Sequence, residues 1–213
     1  MTDFRDDFLA LAIEAEALRF GQFTLKSGRI SPYFFNAGAF YRGSQLDRLA
    51  SAYAAAIKQS GLRFDILFGP AYKGIPLGAL IARALYSDHG LDVGFCYNRK
   101  EAKDHGEGGM LVGAPLQGRV LIVDDVISAG TAARECIAMI RQVGAEPVAL
   151  AVALDRQEVG ANGLSAIEEL KTEQAIDVIS VATLTDLEAY VGRQADFSNH
   201  LQAIRDYRQQ YGC

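Results

Sequence analysis

The run from Val120 to Ala132 constrains the fold of this chain more than any other segment. Its first four residues are apolar, which predicts a short strand that is buried on both faces, as in parallel sheets. Asp124 and Asp125 close the strand, and a helical pattern begins after a turn of small residues. Such a unit points backbone N–H groups and the positive end of a helix dipole at one place, which suits a phosphate. The two acids indicate a ligand that also carries sugar hydroxyls or a divalent metal.

Composition narrows the class of protein further. Half of the 213 residues are hydrophobic, which is enough for one core and predicts a single domain. The net charge of −5 disfavours a nucleic-acid partner, so an anionic substrate must be held by a few local cations. No apolar run approaches the roughly 20 residues of a membrane span, the acidic N-terminus is not typical of a signal peptide, and the three cysteines are scattered. We therefore expect a soluble, cytoplasmic protein that binds neither nucleic acid nor membrane.

From residue 44 onward, the apolar periodicity alternates between helix and strand. Strands are predicted over 65–68, 93–97, 119–123, 147–154 and 176–181, and helices over 44–59, 74–86, 132–143, 164–170, 184–191 and 197–207. This alternation is typical of an α/β fold with a mainly parallel twisted sheet flanked by helices. An opening helix with apolar positions from 4 to 18 and two short strands fall outside it. They predict a small hood formed by residues 1–40, beside an α/β core at 44–182 and C-terminal helices at 183–213.

Two further segments at predicted strand ends carry positive charge. Gly69–Gly74 contains glycines that allow close approach of an anion, and Lys73 adds a point charge. Taken alone, this segment is better explained as an ordinary strand-to-helix loop with a lysine that faces solvent. Residues 99–116 predict a long polar loop, within which Arg99–Gly109 holds four cationic or potentially cationic groups and no hydrophobe except Ala102. Loops of this length in compact domains are usually either functional or disordered. This one suits a mobile lid over an anionic ligand, the alternative being a solvated charged loop.

The Val120–Ala132 run resembles the signature of the type I phosphoribosyltransferases, which use phosphoribosyl pyrophosphate (PRPP). Two other segments are similar to the orotate phosphoribosyltransferases and narrow the family: Leu25–Asn36 and the set Arg99, Lys100, Lys103 and His105. The resemblance covers essentially the whole chain. It implies the type I phosphoribosyltransferase fold and the transfer of ribose 5-phosphate from PRPP to orotate, which yields orotidine 5′-monophosphate and pyrophosphate in pyrimidine biosynthesis.

The same resemblance implies the site residues. Contacts to PRPP fall on Lys26, Tyr72, Lys73, Arg99, Lys100, Lys103, His105, Asp124, Asp125, Val126, Ile127, Ser128, Ala129, Gly130, Thr131 and Ala132. Contacts to orotate fall on Lys26, Phe34, Phe35, Ser128 and Arg156. The catalytic group comprises Lys103, His105, Asp124 and Asp125, and the sequence leaves open whether His105 or Lys103 assists proton transfer. Ser128 stands where many relatives carry threonine, which keeps the hydroxyl.

The chemistry of the proposed orotate contacts fits a flat, carboxylated base. A guanidinium such as that of Arg156 can bind a carboxylate through two hydrogen bonds. Apart from the resemblance, the residue is equally well explained as an ordinary surface arginine. Phe34 and Phe35 suit the walls of an aromatic base. Because adjacent strand residues face opposite sides, one of these two rings can belong to the core instead.

The resemblance also implies a cofactor and a partner. Mg²⁺ would be carried in largely by PRPP, near Asp124 and Asp125, since this ion keeps waters and takes few protein ligands. The lid would reach across the interface of a homodimer into the partner's site. Two alternatives remain open: a phosphoribosyltransferase for another base, and a PRPP-binding regulator without catalysis.

Overall fold

The computed structural model describes residues 3–25, 27–103, 109–127, 130–160 and 162–213, with the side chains of 102, 103 and 109 also left out. The helices are α1 Phe4–Glu14, α2 Gly43–Ser60, α3 Gly74–His89, α4 Thr131–Gln142, α5 Ala166–Gln174, α6 Leu184–Arg193 and α7 Ser198–Tyr211. The strands are β1 Leu18–Thr24, β2 Ile30–Phe35, β3 Ile66–Gly69, β4 Gly94–Lys103, β5 Gly109–Gly113, β6 Arg119–Val123, β7 Glu146–Asp155 and β8 Asp177–Thr183. No helix in these ranges is long and apolar enough to cross a membrane.

Six strands form one sheet in the order β5-β4-β3-β6-β7-β8. All neighbouring pairs are parallel except β4 and β5, which are antiparallel. The predicted α/β class with a mainly parallel sheet is therefore confirmed. Because β3, β6 and β7 are neighbours, the loops that follow them meet at one edge of the sheet, where ligands of such folds bind.

Helices cover both faces of this sheet. Along β6, Leu121 and Val123 belong to one apolar cluster, and Val120 and Ile122 belong to the other. The first cluster includes residues of α1, α2, α3, α6 and α7, and the second includes residues of α4 and α5. Strand β6 is buried over its last four residues, as its apolar run predicts.

The predicted polar loop over 99–116 is wrong over 99–103 and 109–113, which lie in strands. Strand β4 continues to Lys103, and β5 returns antiparallel to it from Gly109. The parallel pairing of β3 with β4 ends where Gly69 lies opposite Tyr97, so the continuation of β4 pairs with β5 alone. A strand at the sheet edge can keep charged side chains in solvent, so a polar sequence does not exclude it. Residues 104–108 lie outside the described ranges.

The N-terminal segment forms a helix and a separate two-stranded sheet. Strands β1 and β2 pair antiparallel, with Leu18 opposite Phe35. The apolar spacing that predicts helix up to residue 18 overruns α1, which ends at Glu14, because Leu18 already opens β1. Helix α7 packs against β2, so the end of the chain supports the segment near its beginning.

Candidate active site

The end of β6 forms a turn in which the two acids are fixed by hydrogen bonds. The carboxylate of Asp124 accepts from the N–H of Asp125 at 2.8 Å, and the carboxylate of Asp125 accepts from the N–H of Val126 at 3.0 Å. The hydroxyl of Tyr53, on α2, donates to the carbonyl oxygen of Asp124 at 2.8 Å. Gly130, with φ 72°, precedes α4 in a left-handed conformation that favours glycine. The turn is therefore held from both sides of the sheet.

The loop after β3 meets this turn through one ion pair. Lys73 Nζ lies 2.6 Å from Oδ2 of Asp125, and the lysine side chain is 63% exposed against 12% for the carboxylate. A Cβ on Gly69 would overlap the carbonyl oxygen of Gly74, so this tight loop requires glycine. The cation can swing toward an anionic ligand while its acid stays fixed.

The carboxyl group of Asp124 is half-buried and electrostatically unfavourable. Burial raises the pKa of Asp124 from 3.8 to about 6, and the neighbouring carboxylate of Asp125 adds to the rise, while the N–H of Asp125 opposes it. A charge that must be desolvated in the folded state destabilises that state. The turn therefore keeps an ionised group at neutral pH at a cost in folding stability.

We expect Asp124→Asn to stabilise the protein at pH 8. The pKa of the folded state lies above that of the unfolded state, so the wild type loses stability as pH rises from 3.8 to beyond about 6. Asparagine does not titrate and can still accept from the N–H of Asp125. Urea unfolding at pH 8 should show a gain of about 1–3 kcal/mol that vanishes below pH 4. A variant that is less stable than the wild type at pH 8 would contradict the burial argument.

Strand β4 adds further groups to this edge. The side-chain oxygen of Asn98 accepts from the N–H of Ala71 at 2.9 Å, which ties β4 to the loop after β3. Lys100 Nζ lies 4.7 Å from the centre of the Tyr72 ring, an arrangement of cation and aromatic face. Tyr72 and Lys100 are exposed and Arg99 is half-buried. Lys100 therefore adds positive charge beside the loop that carries Lys73.

Arg156 follows the end of β7, the strand beside β6. Its Nε and Nη2 both lie 2.6 Å from Oε1 of Glu158, and Nη2 also donates to the Ser31 hydroxyl at 3.0 Å. The guanidinium lies 4.3 Å from the centre of the Tyr33 ring. The N–H of Ala153 donates to the carbonyl of Asp125 at 2.9 Å, so the acid turn and the segment bearing Arg156 are directly connected.

The two predicted aromatic walls lie on opposite faces of β2. The Phe35 ring packs toward the core, with its centre 6.2 Å from Phe8 and 6.4 Å from Phe40. The Phe34 ring lies instead beside Phe23, at 5.5 Å, and under Arg19, at 5.8 Å. This is the separation that strand alternation predicts.

The structure brings together only part of the predicted residue set. Asp125 contacts Lys73, and Tyr72 contacts Lys100, while Thr131 and Ala132 open α4 and Val126 and Ile127 are half-buried in the turn before it. Four predicted residues lie outside the described ranges, as does the side chain of Lys103: Lys26, His105, Ser128 and Ala129. Sequence reasoning missed Tyr53 and Glu158, whose contacts join segments far apart in the chain. No local pattern marks either residue.

Comparison with known proteins defines the class. The phosphoribosyl transferase domain family matches residues 36–189, which include the turn after β6 and the loop after β3. The chain is 59% identical to the orotate phosphoribosyltransferase of Thioalkalivibrio sulfidiphilus, over 100% of both chains. It is 54% identical to that of Chromobacterium violaceum, over 100% of this chain and 99% of the relative. A crystal structure of orotate phosphoribosyltransferase from Francisella tularensis superposes with a TM-score of 0.88 at 40% identity, covering 97% of this chain and 100% of that one.

The fold is thus that of a phosphoribosyl transferase, and the acid turn lies within the residues that match this family. Within that class, this chain belongs to the orotate phosphoribosyltransferase family.

Proposed function

We propose that this protein transfers the 5-phosphoribosyl group from PRPP to orotate, releasing pyrophosphate and forming orotidine 5′-monophosphate. One observation carries the assignment beyond family membership. A carboxylate turn suited to a phosphosugar and an arginine suited to a carboxylated base follow neighbouring strands, β6 and β7, and are connected through Ala153. A phosphoribosyl transferase for an uncharged base has no use for that arginine.

The reaction breaks the bond from the anomeric carbon to pyrophosphate oxygen and forms a bond from that carbon to a ring nitrogen of orotate. The electron pair leaves with pyrophosphate, and positive charge develops on the sugar. Asp124 and Asp125 would accept hydrogen bonds from the ribose hydroxyls and hold the sugar while its charge changes. The negative charge of orotate lies on its carboxylate, and the attacking ring nitrogen loses its proton in this step. His105 or Lys103 would assist transfer of that proton to the leaving pyrophosphate.

The leaving pyrophosphate must be neutralised as it departs. Lys73, Lys100 and Lys103 are suited to this, and Lys73 would exchange its contact with Asp125 for the pyrophosphate. The described residues bring together no group of three or more His, Cys, Asp or Glu side chains that could hold a metal. Two adjacent carboxylates nevertheless fit an Mg²⁺ that arrives bound to PRPP, and its charge would offset that of the leaving group.

Lys103 is the proposed catalytic lysine of the β4–β5 hairpin. We expect Lys103→Ala to lower kcat by about a hundredfold or more while changing the KM for orotate by less than about threefold, because its charge acts on the leaving group. Steady-state kinetics with each substrate varied would measure both constants. Equal losses in turnover and in orotate affinity would contradict a role confined to catalysis.

We further propose a cytoplasmic homodimer in which the hairpin completes the partner's site. Its test is subunit complementation between two inactive variants, Lys103→Ala and Asp124→Asn with Asp125→Asn. If each site uses a hairpin from one subunit and an acid turn from the other, half of the sites in a mixed dimer carry no substitution. An equal mixture should then recover about a quarter of wild-type activity after subunit exchange. A mixture that stays inactive, although exchange is demonstrated, would place both groups in one chain.

The proposed reaction is tested by pyrophosphate release. Purified protein, PRPP and Mg²⁺ would be mixed in parallel with orotate, uracil, hypoxanthine and adenine. Release with orotate alone supports the proposal, and release with another base instead moves the protein to a related transferase. PRPP binding without release from any base would indicate a regulator that binds PRPP without catalysis.

A further inference from the structure

We infer that Glu158, held by Tyr207 of the last helix, is the positioning residue that sets the orientation of Arg156 toward the carboxylate of the base. The inference rests on the proposed function, because it extends the role given there to Arg156. It adds to the site a pair of residues, the Glu158–Tyr207 pair, of which one belongs to the C-terminal helix α7.

The Glu158 carboxylate is the centre of a converging set of donors. Its Oε1 accepts from Nε of Arg156 at 2.6 Å and from the hydroxyl of Tyr207 at 2.9 Å, and also lies 2.6 Å from Nη2 of Arg156. Its Oε2 lies 3.6 Å from Nη1 of Arg29. The side chains of Arg156 and Glu158 are only 18% and 17% exposed. Charge-assisted hydrogen bonds at this depth fix a guanidinium far better than surface pairs do.

These contacts determine which edge of the guanidinium remains for a ligand. The edge formed by Nε and Nη2 faces Glu158, and the second hydrogen of Nη2 goes to Ser31. The hydroxyl of Tyr207 is a further hydrogen-bond partner of the guanidinium. The ring of Tyr33 covers one face of the guanidinium. A substrate carboxylate therefore meets an arginine whose plane is already set, with Nη1 directed away from Glu158.

The charges of the cluster also suit an anionic base. Arg29 and Arg156 bring two positive charges, and Glu158 brings one negative charge. Together these three groups carry a net charge of +1, and Asp155 is a further acid close to Glu158. Without Glu158, both guanidinium groups would lose the carboxylate that they share, and the orientation of Arg156 would no longer be fixed.

Helix α7, the last helix of the chain, also contacts this cluster. Tyr207 packs edge-on against Tyr33, with ring centres 6.3 Å apart, and Arg29 lies 4.7 Å from the centre of the Tyr211 ring. The N–H of Val159 donates to the carbonyl of Tyr211 at 2.8 Å, so the backbone around Glu158 is fixed by the same helix. The C-terminal helix thus contributes to base recognition through Glu158.

The test compares Glu158→Gln, Tyr207→Phe and Arg156→Gln with a matched control, Glu188→Gln. Glu188 accepts from Arg205 and Arg208 on α7 at 2.8 and 3.0 Å, so its loss weakens the attachment of the same helix without touching Arg156. We expect the KM for orotate to rise about tenfold in Glu158→Gln and about threefold in Tyr207→Phe. In Glu158→Gln and Tyr207→Phe, the KM for PRPP and kcat should stay within about twofold of the wild type. The control variant Glu188→Gln should leave kcat and both KM values unchanged.

The outcomes separate this inference from the proposed function. If Arg156→Gln weakens orotate binding while Glu158→Gln and Tyr207→Phe do not, Arg156 reads the base but the positioning role is overturned. An equal rise in the orotate KM in Glu188→Gln also overturns it, because helix attachment alone would then explain the effect. If Arg156→Gln itself leaves orotate binding unchanged, the proposed base recognition fails. Should Glu158→Gln not fold, Tyr207→Phe, which removes a single hydroxyl, still decides the question.

Discussion

Replacing Asp124 and Asp125 together by asparagine is expected to remove most of the transfer activity while the protein stays folded. Each carboxylate would lose a charged hydrogen bond to a ribose hydroxyl, at about 1.5–3 kcal/mol apiece. Together these losses lower kcat/KM by about 10²–10⁴-fold. Asparagine keeps the shape of the side chain, so the contact from the N–H of Asp125 to residue 124 can persist. Activity and circular dichroism of the same preparation would be measured together.

The matched control for the double variant is Asp47→Asn. Asp47 pairs with Arg83 at 2.6 Å on the helical surface, and both side chains are 59% exposed. Loss of such an exposed pair has little effect on stability and none on the turn. Near-normal turnover of the double variant would remove the ribose-holding role from the acid turn.

Arg156→Gln is expected to lower kcat/KM for orotate by about a hundredfold or more, with the KM for PRPP within about threefold. Removing one partner of a part-buried charge pair costs about 2–5 kcal/mol, and here it also leaves Glu158 without its closest cation. Orotate varied at saturating PRPP, and PRPP varied at saturating orotate, would separate the two constants.

Arg141→Gln is the control for this second variant. Arg141, on α4, is exposed and donates to the side chain of Gln174, on α5. Its replacement should leave kcat/KM for orotate unchanged. If Arg156→Gln behaves like this control, another cation recognises the carboxylate of the base.

The cost of the acid turn to folding and its use in catalysis are linked. Asp124→Asn is expected to gain stability at pH 8 because it removes a buried charge whose pKa is raised to about 6. In the proposed reaction, the same charge accepts hydrogen bonds from the ribose hydroxyls. A site that binds a sugar through ionised carboxylates must exclude water around them, and exclusion of water is what raises the pKa.

Much of the sheet could be predicted because parallel strands are locally distinctive. The apolar run of β6 and the helical spacing of α2 and α4 appear within single short segments. The extension of β4 could not be predicted in this way, since an edge strand needs no apolar alternation. Two short strands near the N-terminus are also predicted, but the pairing of β1 with β2 and its register are not.

The acid turn was predictable for the same reason, whereas the surroundings of Arg156 were not. Asp124 and Asp125 follow one buried strand and share one local pattern. Glu158 meets Tyr207 across 49 positions of sequence, and Arg156 meets Ser31 across 125. Only the folded chain brings such residues together.

The most direct test of this account follows orotate and pyrophosphate in one reaction. The ultraviolet absorbance of orotate would be recorded with PRPP and Mg²⁺ present, together with pyrophosphate, and the product would be identified by mass. The account predicts one pyrophosphate released for each orotate consumed and a product of the mass of orotidine 5′-monophosphate. Pyrophosphate release without consumption of orotate, or binding of PRPP without consumption of orotate, would contradict it.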